Sequence, residues 1–111
     1  MKKKVTINVY GKVQGIMFRQ TFIRAAIKRE LDAGATNDPN DRNHVTCSME
    51  GDDTIIEELI HDLAQLDKLN SWGAKVDKVE RLSDYLNYSS HEVTTENVDE
   101  YKWSSGVEFY L

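Results

Sequence analysis

Polar and apolar residues alternate along three segments of the chain, residues 5–9, 44–50 and 107–111. A period of two places one apolar row on one face of a strand, so each segment is predicted to be a strand with a single buried face. Residues 33–36 and 76–82 are weaker strand candidates. In the latter, two valines lie three residues apart, so the strand either begins later or carries a bulge.

Two other stretches carry apolar residues at helical spacing and predict two helices. The first is expected to run from near Arg19 to Leu31. The second begins near Thr54, which stands at the spacing of a capping box from Glu57, and it ends between residues 66 and 70.

The resulting order is strand, helix, strand, strand, helix, strand, with a short strand at the end. This order predicts an α+β, ferredoxin-like split βαβ sandwich, in which an antiparallel sheet carries both helices on one face. With 111 residues, the chain is expected to form a single domain over residues 1–111. Residues 83–105 are predicted to be an irregular insertion before the last strand. A surface extension that covers an exposed sheet edge is the favoured interpretation, and a binding role is the alternative.

Composition narrows the possible functions. Fourteen basic and nineteen acidic residues give a net charge of −5, which disfavours a nucleic-acid binder. One cysteine cannot form an internal disulfide, and with three scattered histidines it shows no zinc spacing, so we expect a cytoplasmic protein without a metal. The sequence has no apolar run long enough for a signal peptide or a membrane span, so no membrane association is expected. We expect a monomer.

The segment with the clearest chemistry is Gly11-Lys12-Val13-Gln14-Gly15-Ile16-Met17-Phe18-Arg19, between the first strand and the first helix. Its glycines allow a sharp turn and close approach to a ligand, and the helix start offers unpaired amide donors and the positive end of a dipole. Arg19 could hold two anionic oxygens with its planar guanidinium. Taken alone, two glycines four residues apart could also mark an ordinary tight loop.

This segment resembles the signature of the acylphosphatases, Gly-x-Val-Gln-Gly-Val-x-Phe-Arg. Further correspondences include Asn37 after the weak strand and Glu50-Gly51 before the second helix, and the resemblance covers roughly residues 5–82 and 106–111. Every fixed position of the signature is met, with Ile16 replacing a valine, by Gly11, Val13, Gln14, Gly15, Phe18 and Arg19.

The resemblance implies hydrolysis of the carboxyl–phosphate bond of a small acyl phosphate, giving a carboxylate and inorganic phosphate without a metal or cofactor. It implies that Arg19 binds the phosphate and that Asn37 orients the attacking water. It also implies that backbone amides hold the phosphoryl oxygens, and these belong to Gln14, Gly15, Ile16, Met17 and Phe18.

Several alternatives remain open at the level of sequence. Asn37 could be a simple turn residue and Gln14 could only stabilise the loop. Glu30 and Ala33 stand where the family usually has glycines, which could shift Asn37 and leave a catalytically weak or inactive anion-binding module. A nucleic-acid reader of the same fold is a third possibility, although aromatic residues are sparse on the polar faces of the strands.

Overall fold

The computed structural model describes all 111 residues. The main elements are β1 (Lys2–Lys12), α1 (Phe18–Lys28), β2 (Asp32–Asn37), β3 (His44–Asp52), α2 (Asp53–Gln65), β4 (Lys75–Arg81) and β5 (Val93–Thr94). The strands form one antiparallel sheet in the order β4-β1-β3-β2-β5, and the two helices pack on one of its faces. The predicted ferredoxin-like α+β fold is confirmed. The longest helix, α2, has 13 residues, and none of the helices is long and apolar enough to span a bilayer.

The core lies between the sheet and the helices and follows the alternation read from the sequence. The apolar residues of β1 stand directly opposite those of β3, so their side chains pack as cross-strand pairs beneath α1 and α2. All of these side chains are buried, and the pairs are Val5 with Met49, Ile7 with Cys47 and Val9 with Val45.

A bulge accounts for the broken alternation within β4. Tyr10 pairs with Lys78 but Gly11 pairs with Val76, so Asp77 is an extra residue on the β4 side. A Cβ at Gly11, whose φ is +145°, would lie 2.4 Å from the carbonyl oxygen of Lys75. The bulge alternative is therefore the right one, and it requires a glycine where the signature begins.

Helix α1 ends at Lys28, three residues before the predicted end at Leu31. The Leu31 N–H bonds to the Ala26 carbonyl at 2.9 Å and the Glu30 N–H bonds to the Ile27 carbonyl at 3.0 Å. This is the Schellman pattern, which needs a left-handed residue just beyond the helix. Glu30 supplies it with φ +60°, at one of the positions where the resembling family usually has glycine.

The predicted C-terminal strand over residues 107–111 is wrong. Only Phe109 pairs with another segment, through an isolated bridge to Asn70 in the connection between α2 and β4. The outer edge of β2 is already occupied, because Thr94 and Val93 of β5 pair with Gly34 and Ala35. The insertion therefore supplies the fifth strand and covers the sheet edge, as the sequence led us to expect.

The insertion also crosses the sheet face opposite the helices. The Leu86 N–H donates to the hydroxyl of Thr6 at 2.9 Å, and the His91 ring bonds to the hydroxyls of Ser48 and Thr36 at 2.8 and 2.9 Å. Thr6 and Ser48 are consequently buried, although they lie on the polar face of their strands. Residues 83–105 thus wrap from the polar face around the β2 edge.

Candidate functional site

Two residues of the loop between β1 and α1 adopt left-handed backbone conformations. Gly15 has φ +76°, and Met17, which precedes the first residue of α1, has φ +66°. A Cβ at Gly15 would meet no atom within 4 Å, so its backbone angle rather than space favours glycine there. Met17 adopts the same left-handed conformation although it has a Cβ. This costs on the order of 1–2 kcal/mol, and such residues are concentrated at functional sites.

The loop and the start of α1 leave a run of amide donors free. No backbone N–H from Gly15 to Arg19 donates a hydrogen bond to another group of the chain. Left-handed residues alternating with other conformations turn successive N–H groups inward, and the start of a helix adds its own unpaired donors and partial positive charge. This is the arrangement with which backbone binds tetrahedral anions.

A cavity of about 180 Å³ joins this loop to the end of β2. Five of the sequence-predicted site residues line it, while Gln14 and Ile16 do not. Trp103, from the insertion, forms a further wall that the sequence did not reveal. The complete lining consists of Val13, Gly15, Met17, Phe18, Arg19, Asn37 and Trp103.

Asn37 is the last residue of β2 and shares the helix-side face of that strand with Ala33 and Ala35. Its side-chain carbonyl oxygen is buried and has no hydrogen-bond partner within the chain. A buried acceptor of this kind costs free energy unless it is satisfied, so an unpaired one in a residue of the cavity lining calls for an explanation.

Gln14 lies beside the cavity, and its side chain donates hydrogen bonds to the connection between β2 and β3, which follows Asn37. Its Nε2 donates to the carbonyl oxygens of Asp38, Asp41 and His44 at 3.0, 2.8 and 2.8 Å. Two hydrogens shared among three carbonyls tie the loop after β1 to the β2–β3 turn. The Gln14 side chain therefore stabilises the loop.

Asn70 supports the loop from the opposite side and was not singled out in the sequence. Its Nδ2 donates to the carbonyl of Ile16 at 2.9 Å and to the hydroxyl of Thr21 at 2.8 Å, and Thr21 in turn donates to the carbonyl of Met17 at 2.7 Å. Its Oδ1 accepts from the N–H groups of Trp72 and Ala74. Asn70 is fully buried and fully satisfied, so it fixes two loop carbonyls in one arrangement.

The Arg19 guanidinium, which sequence analysis assigned to a phosphate, is paired with a carboxylate. Its Nη1 contacts Oε1 of Glu92, a residue of the insertion, and the Arg19 side chain is only 22% exposed. Glu92 follows no motif and lies 73 residues away in sequence, so no local pattern could have indicated this contact.

Trp103 is held against the cavity by the insertion itself. Its indole N–H donates to the carbonyl of Val98 at 2.6 Å, and its ring lies 5.4 Å from that of Tyr101, at a 31° tilt. A fixed aromatic face next to Arg19 gives the cavity one flat, largely apolar wall.

Two further side chains with titratable groups, Cys47 and His91, lie outside this cavity. Burial raises the pKa of the Cys47 thiol and lowers the pKa of the His91 ring, so the thiol stays protonated and the imidazole is disposed to be neutral. No three or more His, Cys, Asp or Glu side chains come together in a way that could hold a metal ion.

Comparison with known proteins gives a family and a fold. The model of the acylphosphatase family matches residues 5–99. The chain is similar in structure to the acylphosphatase from Bacillus subtilis, with a TM-score of 0.60 and 24% identity over 82% of this chain and 92% of that one. It is also similar to the acylphosphatase from Coxiella burnetii, with a TM-score of 0.61 and 24% identity over 79% and 87%.

A third structure with the same fold is much longer. Full-length HypF in the phosphate- and nucleotide-bound form gives a TM-score of 0.62 and 20% identity over 83% of this chain, which spans only 11% of HypF. Comparison with curated proteins gives no match.

Proposed function

Because the chain belongs to the acylphosphatase family, we propose that it hydrolyses the carboxyl–phosphate bond of acyl phosphates to a carboxylate and inorganic phosphate. The loop over residues 13–19 holds the phosphoryl group together with Arg19, and Asn37 orients the attacking water. The observation that carries this proposal is one cavity that joins Arg19 and Asn37 to a run of free backbone amides.

The reaction needs little covalent help from the protein. Water attacks phosphorus, the bond between phosphorus and the acyl oxygen breaks, and the electron pair of that bond leaves with the carboxylate. A carboxylate is a good leaving group, so the remaining tasks are to neutralise the phosphoryl oxygens and to place the water in line. Preorganised backbone amides and the Arg19 guanidinium do the first.

Asn37 suits the second task through its buried, unpaired Oδ1, which accepts a hydrogen bond from the water and so fixes its position. An amide cannot take up the proton at neutral pH. The proton that the water loses therefore passes to an oxygen of the substrate's own phosphate, which leaves as inorganic phosphate.

Hydrolysis of benzoyl phosphate by the full chain tests the proposal. Replacing Arg19 by alanine removes the guanidinium from the phosphoryl oxygens, and we expect kcat/KM to fall on the order of 10³-fold. Arg24→Ala is the matched control, because Arg24 lies on the same helix but pairs with Asp99 and does not line the cavity. Equal rates for the Arg19 and Arg24 variants would contradict the assignment.

One observation favours a second candidate function, an anion-binding module without turnover. Glu92 already pairs with Arg19, and HypF, a much longer chain of which the matching part is 11%, is described in a phosphate-bound form. Phosphate binding that depends on Arg19, together with no hydrolysis of benzoyl phosphate in the parent chain, would favour the module over the enzyme.

A further inference from the structure

Glu92, in the insertion, contacts Arg19, which is the one charged residue of the cavity lining. Its carboxylate contacts Nη1 of Arg19, while Arg19 is mostly shielded and Glu92 is about half exposed, at 22% and 52% of their side chains. Since the guanidinium borders the free amides of the loop, this carboxylate lies beside the candidate phosphate site.

The backbone of Glu92 is held independently of this ion pair. Its N–H donates to the hydroxyl of Thr36 at 2.9 Å, and its carbonyl accepts from the Tyr101 hydroxyl at 2.6 Å and from Asn97 Nδ2 at 3.2 Å. Because both backbone groups are anchored, the Glu92 backbone stays within side-chain reach of Arg19.

The residues on either side of Glu92 are anchored as well. The His91 ring is hydrogen-bonded to Thr36 and Ser48 on the polar face of the sheet, and Val93 is buried and pairs with Ala35 at the β2 edge. A Glu92 in this setting cannot drift away with its backbone, and only its side chain can turn out to solvent.

We propose that Glu92 is an internal competitor that sets the affinity of this site for phosphoryl groups. This inference rests on the proposed function, which assigns the phosphate to Arg19. A carboxylate on Nη1 takes one of the donors that a phosphate would use and neutralises the charge that attracts it. Whether it turns away or stays while the phosphate binds the remaining guanidinium donors, it makes binding weaker than Arg19 alone would allow.

The ligands affected are tetrahedral oxyanions, which include the phosphoryl group of the substrate and the inorganic phosphate released from it. Since the competition acts on both, removal of the Glu92 charge strengthens ground-state and product binding together. It changes the barrier from the bound state much less, because the same guanidinium is present before and during the reaction.

Glu92→Gln tests this inference, because glutamine keeps the shape and the backbone anchors but not the charge. We expect the dissociation constant of inorganic phosphate, measured by calorimetry on the full chain, to fall about fivefold, the size typical of a partly exposed ion pair. We expect the KM for benzoyl phosphate to fall in parallel, with kcat changed by less than about twofold.

Glu100→Gln is the matched control. Glu100 lies in the same insertion, is exposed and takes part in no side-chain hydrogen bond or ion pair, so its removal changes the net charge equally without touching Arg19. Phosphate affinity that is unchanged or weaker in Glu92→Gln, or improved as much in Glu100→Gln, would overturn the inference. The calorimetric measurement does not depend on turnover, so a chain that binds phosphate but hydrolyses nothing would contradict only the enzymatic proposal.

Discussion

Two segments border the cavity around Arg19, and they are held in place by different means. The loop over residues 13–17 is fixed by the burial of Val13, by Asn70, which bonds to a loop carbonyl, and by the side chain of Gln14, which bonds to the β2–β3 turn. The loop's own amides stay free. The insertion over residues 83–105 is fixed from its sides, by a two-residue strand and by side chains on the polar face of the sheet. The loop offers donors to a ligand, and the insertion offers a carboxylate and an aromatic wall.

The two segments differ in which residues determine their contribution to the site. The loop's shape depends on a few residues that lie close together in sequence and take particular backbone angles, and on one distant support, Asn70. The insertion's contribution depends on which distant groups its backbone meets. Variants that disturb the supports of one segment should therefore leave the other segment's effect on the site unchanged.

Removal of Asn70 should have the largest effect, because it strips support from the loop. Asn70→Ala leaves the N–H groups of Trp72 and Ala74 and the carbonyl of Ile16 without the partner that the buried Asn70 side chain gives them. We expect the free energy of unfolding to fall by about 3 kcal/mol and Tm by on the order of 15 °C. We also expect kcat/KM for benzoyl phosphate to fall about 100-fold well below Tm, because the free amides lose their alignment.

Asn87→Ala serves as the control for Asn70. Asn87 is exposed and caps a single 3₁₀ turn of the insertion, through a bond to the N–H of Ser89. We expect this variant to retain the parent's activity and most of its stability. An Asn70→Ala protein that hydrolyses benzoyl phosphate at the parent's rate would show that the loop keeps its shape without this support.

A methyl group at Gly34 should disturb the insertion instead. A Cβ there would lie 2.3 Å from the carbonyl oxygen of Tyr88 and 2.8 Å from the Cβ of His91, so the insertion must move away from β2. For Gly34→Ala we expect a loss of about 2 kcal/mol in the free energy of unfolding. Because Glu92 follows His91 directly, we also expect tighter phosphate binding, in the direction expected for Glu92→Gln.

Gly106→Ala controls for the change of residue type, since a Cβ at Gly106 meets no atom within 4 Å. It should leave Tm within about 2 °C of the parent's. If Gly34→Ala loosens the insertion but phosphate affinity stays constant, the contact between Glu92 and Arg19 does not control binding.

The sequence predicts some parts of the fold and of the site but not others. The strands with strict alternation and both helices could be read from the chain, because each buries one face against the same core. The loop could be read because Gly11, Gly15 and Arg19 stand at fixed places in a short motif. The wrongly predicted strand at residues 107–111 has the required alternation, but the edge of β2 is already paired with β5.

The site residues that the sequence did not predict were missed for a different reason. Glu92, Trp103 and Asn70 each reach the loop or its cavity across a long stretch of sequence, from segments without regular periodicity. Their positions follow from tertiary contacts, such as the bonds of His91 to Ser48 and Thr36. A pattern of neighbouring residues carries no information about such contacts.

A glycine at the end of α1 should give a modest gain in stability without touching either segment. Glu30 holds φ +60° in the Schellman motif, which a residue with a Cβ adopts at a cost and glycine adopts freely. Glycine also gives the unfolded chain more freedom, which offsets part of this gain. We therefore expect Glu30→Gly to add a net of about 0.5–1 kcal/mol to the free energy of unfolding. Glu30→Ala removes the same charge but keeps the Cβ, and a similar gain in that variant would attribute the effect to charge.

The smallest expected effect is a pH dependence that enters through His91. Burial lowers the pKa of this ring below 6.5, the ordinary value that it regains in the unfolded chain. As pH falls from 7 to 6, the unfolded chain takes up more protons at this position than the folded one, so the free energy of unfolding decreases. One histidine can account for at most about 0.7 kcal/mol over this interval. Urea unfolding at both pH values should show a smaller decrease for His91→Gln than for the parent. An equal decrease in the parent and in His91→Gln would mean that the His91 ring takes up its proton as easily in the folded chain as in the unfolded one. Packing of the insertion against the polar face of the sheet would then not depend on a neutral His91.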